Sequence, residues 1–165
     1  MSSEERVELR GEVYRGDMER MIQWLQDEKV TAYLNEEQNV DQTLRRIVDR
    51  STLPLFSPQL NRDGRFFMIT VPNSGPIGFL RLVSRADEAE IVVVIGDRSK
   101  WGKGLGYRAI LKGVRHAFSV WRKKRVVAKI HKENRRSRAV FHKAGFKKAR
   151  ELDREVKLVL PATAG

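Results

Sequence analysis

The sequence predicts an α+β domain built on a mixed, mostly antiparallel sheet flanked by helices, and three observations carry that expectation. Apolar residues recur at helical spacing in well-separated stretches, three β-rich runs follow one another across short turns, and a glycine-rich loop joins the last run to the best-defined helix.

Taken in order, "VELRGEVY" reads as a strand. Asp17 is the expected N-cap of a helix whose Met18, Met21, Ile22 and Leu25 fall at i, i+3, i+4 and i+7. Asp41 similarly precedes Leu44, Ile47 and Val48, and Pro54 and Pro58 in "LPLFSP" break that pattern. "RFFMITV", then "IGFLRLV" after the turn "PNSGP", then "AEIVVVIG", predict an antiparallel meander. Phe66 and Phe67 alternate across its first strand, so one of the two is expected in the core. Tyr107, Ile110, Leu111, Val114, Ala117 and Phe118 trace a second helical stripe. "RVVAKI" returns as a strand, "NRRSRAVFHKAGF" as a short helix closed by Gly145, and "REVKLVL" as the last strand. No repeat or linker interrupts the chain, and one domain over residues 1–165 is expected.

Composition narrows the chemistry. The chain contains no cysteine, and His116, His131 and His142 lack metal-ligand spacing, which argues against zinc, redox and cysteine-nucleophile chemistry; no metal is expected. The N-terminus is polar and acidic, and no apolar run approaches the roughly 18 residues of a membrane span, so a cytoplasmic protein is expected. Of 33 Lys and Arg, 19 lie between Arg98 and Arg150, where Glu133 is the lone acid. That segment carries +18 of a net +12 and the remainder is acidic, an asymmetry that points to an anionic ligand or partner. The competing reading is a solvated helix face.

The loop is "RSKWGKGLGYRAI". Glycines let a ligand approach the backbone closely, and free N–H groups at a helix N-terminus bind phosphate, so a pyrophosphate suits it. Neither a Walker loop nor a dinucleotide fingerprint is present, and a ligand-free strand-to-helix turn is the plain alternative.

The succession of strand, [QR]-x-x-G-x-[GA] loop, long helix, strand, Asn and short helix ending in Gly-Phe resembles the acyl-CoA-binding core of the GNAT superfamily of N-acetyltransferases. Residues 89–146 carry that core. The loop aligns as Trp101-x-x-Gly104-x-Gly106, and the second motif matches through Asn134, Ser137, Ala139, Lys143, Gly145 and Phe146. The opening "LRGEVYRGDMERMIQWLQDEKVTAYL" resembles the branch that acetylates the N-termini of ribosomal proteins.

The resemblance implies a GNAT-like acyl-CoA N-acyltransferase fold, with acetyl-CoA bound between "EIVVVIG" and "RVVAKI" and attacked directly by an amine. The backbone of Val93, Val94 and Ile95 would bond the pantetheine arm. The run from Trp101 through Gly102, Lys103, Gly104, Leu105 and Gly106 to Tyr107 would hold the pyrophosphate, with Lys103 and Arg98 adding charge. Asn134, Phe141 and Lys143 would lie near the donor's other edge. Glu90 is the candidate base for the attacking amine; its alternative reading is a strand-end carboxylate paired with an arginine. Trp24, which neighbours an apolar stripe and reads as either core or cleft wall, and Tyr33 are the expected acceptor contacts, and Glu36, Glu37 and Asp41 could line that side. Two positions depart from the family's pattern. Trp101 stands where Gln or Arg is usual. Phe141 stands where a tyrosine often protonates the departing thiolate, which leaves Tyr107, Ser137, His142 or solvent for that role.

The expected reaction is acetyl transfer from acetyl-CoA to a primary amine, with a peptide or protein N-terminus first and a small-molecule amine second. The charge of residues 98–150 exceeds what CoA needs, which suggests an anionic acceptor or a surface such as the ribosome. A non-catalytic RNA- or ribosome-binding module using "VWRKKRVVAKIHKENRRSR" is the rival. No membrane partner is expected, and either a monomer or a homodimer is compatible with the sequence.

Overall fold

The computed structural model describes residues 6–33 and 40–163. Its strands are β1 (Glu8–Arg10), β2 (Gly64–Val71), β3 (Gly75–Arg85), β4 (Glu88–Ile95), β5 (Arg125–His131), β6 (Lys147–Glu151) and β7 (Glu155–Pro161). Its helices are α1 (Arg15–Leu25), α2 (Glu28–Thr31), α3 (Val40–Arg50), α4 (Ser57–Leu60), α5 (Leu105–Arg115) and α6 (Arg135–Lys143). The strands form one sheet in the order β1-β2-β3-β4-β5-β7-β6. Every pairing is antiparallel except β4 with β5, which α5 connects as a crossover.

Both faces of the sheet are covered, so the alternation of each strand feeds two cores. On one face Met18, Met21 and Ile22 of α1 and Leu44 and Val48 of α3 pack on Phe66, Met68, Phe79 and Val94. On the other, Leu105, Ala109, Ile110 and Val114 of α5 meet Phe67, Leu80 and Ile91. Each such buried aliphatic or aromatic side chain contributes about 1.5–3 kcal/mol. Helix α5 lies close to the sheet at Gly113, where an added Cβ would come within 2.9 Å of Leu80 Cδ1.

Several elements differ from the sequence expectation for identifiable reasons. Phe66 and Phe67 are both buried, because helices cover both faces. Strand β1 ends at Arg10, after which Val13 leaves the sheet and bonds Phe56 N–H and Ser57 Oγ. Asp17 sits in the first turn of α1 rather than capping it. Its carboxylate accepts the Tyr14 N–H at 2.9 Å and pairs with Arg10 at 2.7 Å. Leu111 is 40% exposed, and the buried stripe of α5 runs instead through Ala109 and Gly113. Helices α2 and α4 are single turns, and β6 is exposed at all five residues, so neither period marks them.

Helix α5 runs into a π turn at His116–Val120. The His116 ring there lies edge-on to Phe67 and Trp121, and its Nε2 is buried with no partner. Burial holds this imidazole below the ordinary histidine value, and the Arg65 guanidinium acts in the same direction. The unfolded chain therefore takes up the proton more readily. Stability is complete above the ordinary value of about 6.5 and is lost as pH falls below it. The expected result is a urea midpoint that drops between about pH 7.5 and 5.5, with the drop flattened in His116→Phe. An identical slope in the variant would exclude His116 as its source.

Candidate active site

The site arises where the sheet opens. Strands β4 and β5 are paired only from Glu88↔Arg125 to Glu90↔Val127, although β4 stays paired with β3 as far as Ile95. Arg125 Nε lies 2.9 Å and Lys157 Nζ 3.7 Å from the same Glu88 oxygen, which fastens the closed end of the gap. The hydrogen bond from Arg125 holds the Glu88 carboxyl below the usual carboxylate range, against the opposing effect of burial and with help from Lys157.

Beyond Glu90 the alternation of the antiparallel ladder decides which backbone groups face the gap. Gly96 N–H donates to Ile77 O at 2.8 Å, so even-numbered residues of β4 bond toward β3. The N–H and C=O groups of Val93 and Ile95 therefore point the other way, into the opening. The Trp101 indole N–H donates to the Ile95 carbonyl at 2.7 Å, tying the glycine loop to β4 from that side. The Arg136 guanidinium stacks on the same indole at 3.8 Å.

The loop then turns into α5 through two left-handed residues, Gly102 at φ +77° and Gly104 at φ +79°. Gly104 is the N-cap; no side chain caps the helix, and its first turn has no acidic residue. The first-turn N–H groups thus meet no carboxylate, and the positive end of the helix is turned to the cleft. This fits a diphosphate.

Two cavities flank the opening. One, of about 210 Å³, runs along β4, the glycine loop and the α5 start to α6, the side expected for the donor. The other, of about 340 Å³, lies against β3, β4 and β5, the side expected for the acceptor. Tyr33, Val93, Asn134, Ser137 and Phe141 line both, so the two meet at these residues. A third cavity, of about 260 Å³, lies between α1, α3 and the β2–β3 hairpin and has neither the loop nor a helix start.

The donor-side walls include Val93, Val94 and Ile95 of β4, Trp101, Gly102 and Gly104 of the loop, and Leu105, Gly106 and Tyr107 of α5. Asn134, which caps α6 by accepting the Ser137 N–H at 3.2 Å, and Phe141 complete the set. Three candidate donor contacts stand elsewhere. Arg98 is paired with Asp27 at 3.1 Å, Lys103 is exposed beside the loop, and the Lys143 ammonium lies 4.5 Å over the Tyr107 ring. Among the acceptor candidates, Tyr33 reaches both cavities, whereas Trp24 lies against Gly96, where an added Cβ would come within 2.2 Å of the indole. Trp24 therefore packs on the far side of β4's end rather than in the cleft. Glu36 and Glu37 lie outside the described residues, and Asp41 is described only as part of the α3 backbone.

Glu90 lines the acceptor-side cavity at the last paired rung, half-buried, with Oε1 3.2 Å from Arg85 Nε. It is thus both in the cleft and ion-paired. Arg81, Arg85, Lys129 and His131 share that cavity, and sequence reading missed them. A signal existed: alternation in "RVVAKIH" puts Lys129 and His131 together on the face opposite Val126, Ala128 and Ile130. Arg136, Lys29 and Lys100 were also missed on the donor side.

Residues 6–147 match the sequence profile of the acetyltransferase (GNAT) domain. The chain belongs to the GNAT acetyltransferase family. As such it is an acetyl-CoA-dependent N-acetyltransferase. Solved structures with the same fold include spermidine N-acetyltransferase from Vibrio cholerae in complex with CoA and spermine, at TM-score 0.77 and 16% identity over 94% of this chain and 95% of that one. A domain from Methanocaldococcus jannaschii DSM 2661 gives TM-score 0.76 and 16% identity over 96% and 100%. A GNAT-family acetyltransferase from Bacillus anthracis gives 0.73 and 17% over 95% and 94%. No curated protein sequence matches the chain significantly. Among the described residues no group of side chains is arranged to hold a metal ion, and no helix is long and apolar enough to cross a membrane.

Proposed function

We propose that this GNAT enzyme acetylates the primary amine of a small molecule that carries an anionic group. The observation behind this reading is the meeting of the two cavities at Tyr33, Val93, Asn134, Ser137 and Phe141. Pantetheine lies along Val93 and Ile95 with its diphosphate at the Gly102–Gly106 loop, and the amine arrives from the opposite side. Glu90, steadied by Arg85, takes the amine proton, and an N–H of β4 polarises the thioester carbonyl. Lys100 and Arg136 of the Lys- and Arg-rich segment, which line the donor side, serve the phosphates of the donor in this reading.

A small amine takes precedence over a peptide N-terminus because the fold neighbours whose names state an acceptor are spermidine N-acetyltransferases. The charge of the walls argues for a different kind of small amine. Arg81, Arg85 and Lys129 outnumber Glu90 and Glu155, and Arg85 already engages Glu90. A polycation is repelled by such walls, whereas a carboxylate or phosphate on the acceptor is drawn to them.

Release of free CoA thiol tests this with matched acceptors: an amino acid, its amide, spermidine and a short peptide. The expected result is a kcat/KM for the carboxylate form at least about tenfold above that of the amide, which corresponds to about 1.4 kcal/mol. Preference for spermidine or for peptide N-termini would overturn the assignment.

A further inference from the structure

Collapse of the tetrahedral adduct expels the CoA thiolate, and something at the junction of the cavities must supply it with a proton. The position from which α6 could have done so holds Phe141, buried and edge-on to Phe146 at 5.0 Å, with no hydroxyl. Tyr107 lines the donor side alone, beneath the Lys143 ammonium. His142 lines neither cavity, and its Nδ1 lies 3.0 Å from the Phe146 carbonyl. The sulfur sits where donor and acceptor spaces join, and the walls common to both carry three polar side chains: Tyr33, Asn134 and Ser137. Asn134 is committed to capping α6, and amides and aliphatic alcohols are far weaker acids than thiols. Phenols ionise near 10 and thiols near 8.5, close enough for transfer within a reacting complex.

We propose that Tyr33, reaching over the cleft from the end of α2, protonates the departing thiolate. This rests on the reading of the cleft given above. The C–N bond forms and the C–S bond breaks; the sulfur takes the phenolic proton. Nitrogen gives up two protons through Glu90 and water: the one that leaves the ammonium before attack goes to solvent, and the one shed as the amide forms returns to the phenolate, so the net products are the amide, CoA thiol and one solvent proton. His131 positions the phenol. Its ring lies 5.3 Å from that of Tyr33, and its Nδ1 accepts the Glu133 N–H at 3.1 Å, which leaves the neutral ring's proton on Nε2.

Tyr33 is 40% exposed, so Tyr33→Phe leaves the fold intact. The expected result is a kcat lower by about tenfold, less than a fully enclosed acid would give because water substitutes in part, with KM for the amine and Kd for acetyl-CoA unchanged. Adding Phe141→Tyr to that variant, which puts a hydroxyl at the same junction from α6, restores most of the loss. Wild-type kcat in Tyr33→Phe, or a double variant as slow as the single one, overturns the proposal. A wild-type chain that binds acetyl-CoA but acetylates no amine would instead refute the reading of the cleft, before any variant is made.

Discussion

Replacing Glu90 by Gln lowers kcat by about 100-fold or more while acetyl-CoA binding, read by calorimetry, stays as in the wild type. A primary amine is an ammonium at neutral pH and has no lone pair to attack with until a proton is removed. A general base held within reach typically accounts for about 10²- to 10⁴-fold in rate. Glu90 has the position for it, at the last rung before β4 and β5 part, half-buried and facing the acceptor-side cavity. Gln retains an oxygen that accepts the Arg85 Nε–H, bonded at 3.2 Å to the carboxylate, so the variant loses basicity with little change in shape. The deficit narrows as pH rises, because solvent then deprotonates the amine unaided. A kcat equal to wild type at every pH would leave Glu90 as Arg85's partner alone.

The parts of this site written into one short stretch of chain were legible in the sequence. The glycine loop, the α5 start and the Asn134 cap each depend on residue types at fixed local spacing, and Gly102, Gly104 and Asn134 have the backbone roles those types suggest. The strand alternation of β4 was equally readable, with Val92 and Val94 in one core and Ile91, Val93 and Ile95 in the other. What stayed hidden depends on distant contacts. Trp24 has the composition of a cleft wall, yet Gly96, far along the chain, supplies the flat surface it packs on. Arg98 reads as a phosphate ligand, and its ion pair with Asp27 at 3.1 Å, set by a residue far back along the chain, carries no signal in the sequence. Strand β6 carries no apolar signal because all its side chains are exposed and it joins the sheet through its backbone ladder with β7, while Lys147 and Lys148 charge a sheet edge. Trp101 is the most informative departure. The family's pattern has a polar side chain there, and in this chain the indole N–H supplies the polar contact, to the Ile95 carbonyl.

Gly104→Glu is expected to weaken donor binding without unfolding the protein. At φ +79° a side chain costs about 1 kcal/mol, but a carboxylate at the N-terminus of α5 regains about 0.3–1 kcal/mol from the helix dipole, so the melting temperature changes little. Space for the side chain exists within the protein, since no atom lies within 4 Å of an added Cβ. The conflict is with the ligand. The carboxylate occupies the region into which the unpartnered first-turn N–H groups point, and a like charge 4 Å from a phosphate costs about 1 kcal/mol in water and about 4 kcal/mol near a protein surface. Calorimetry should therefore report acetyl-CoA affinity weaker by about 5- to 1000-fold. Gly104→Ala separates the two effects, because it carries the same backbone strain and no charge, and its affinity should stay within about tenfold of wild type. Equal affinity in wild type and Gly104→Glu would mean that the diphosphate lies elsewhere, and the open β4–β5 gap would then need a donor bound in another direction.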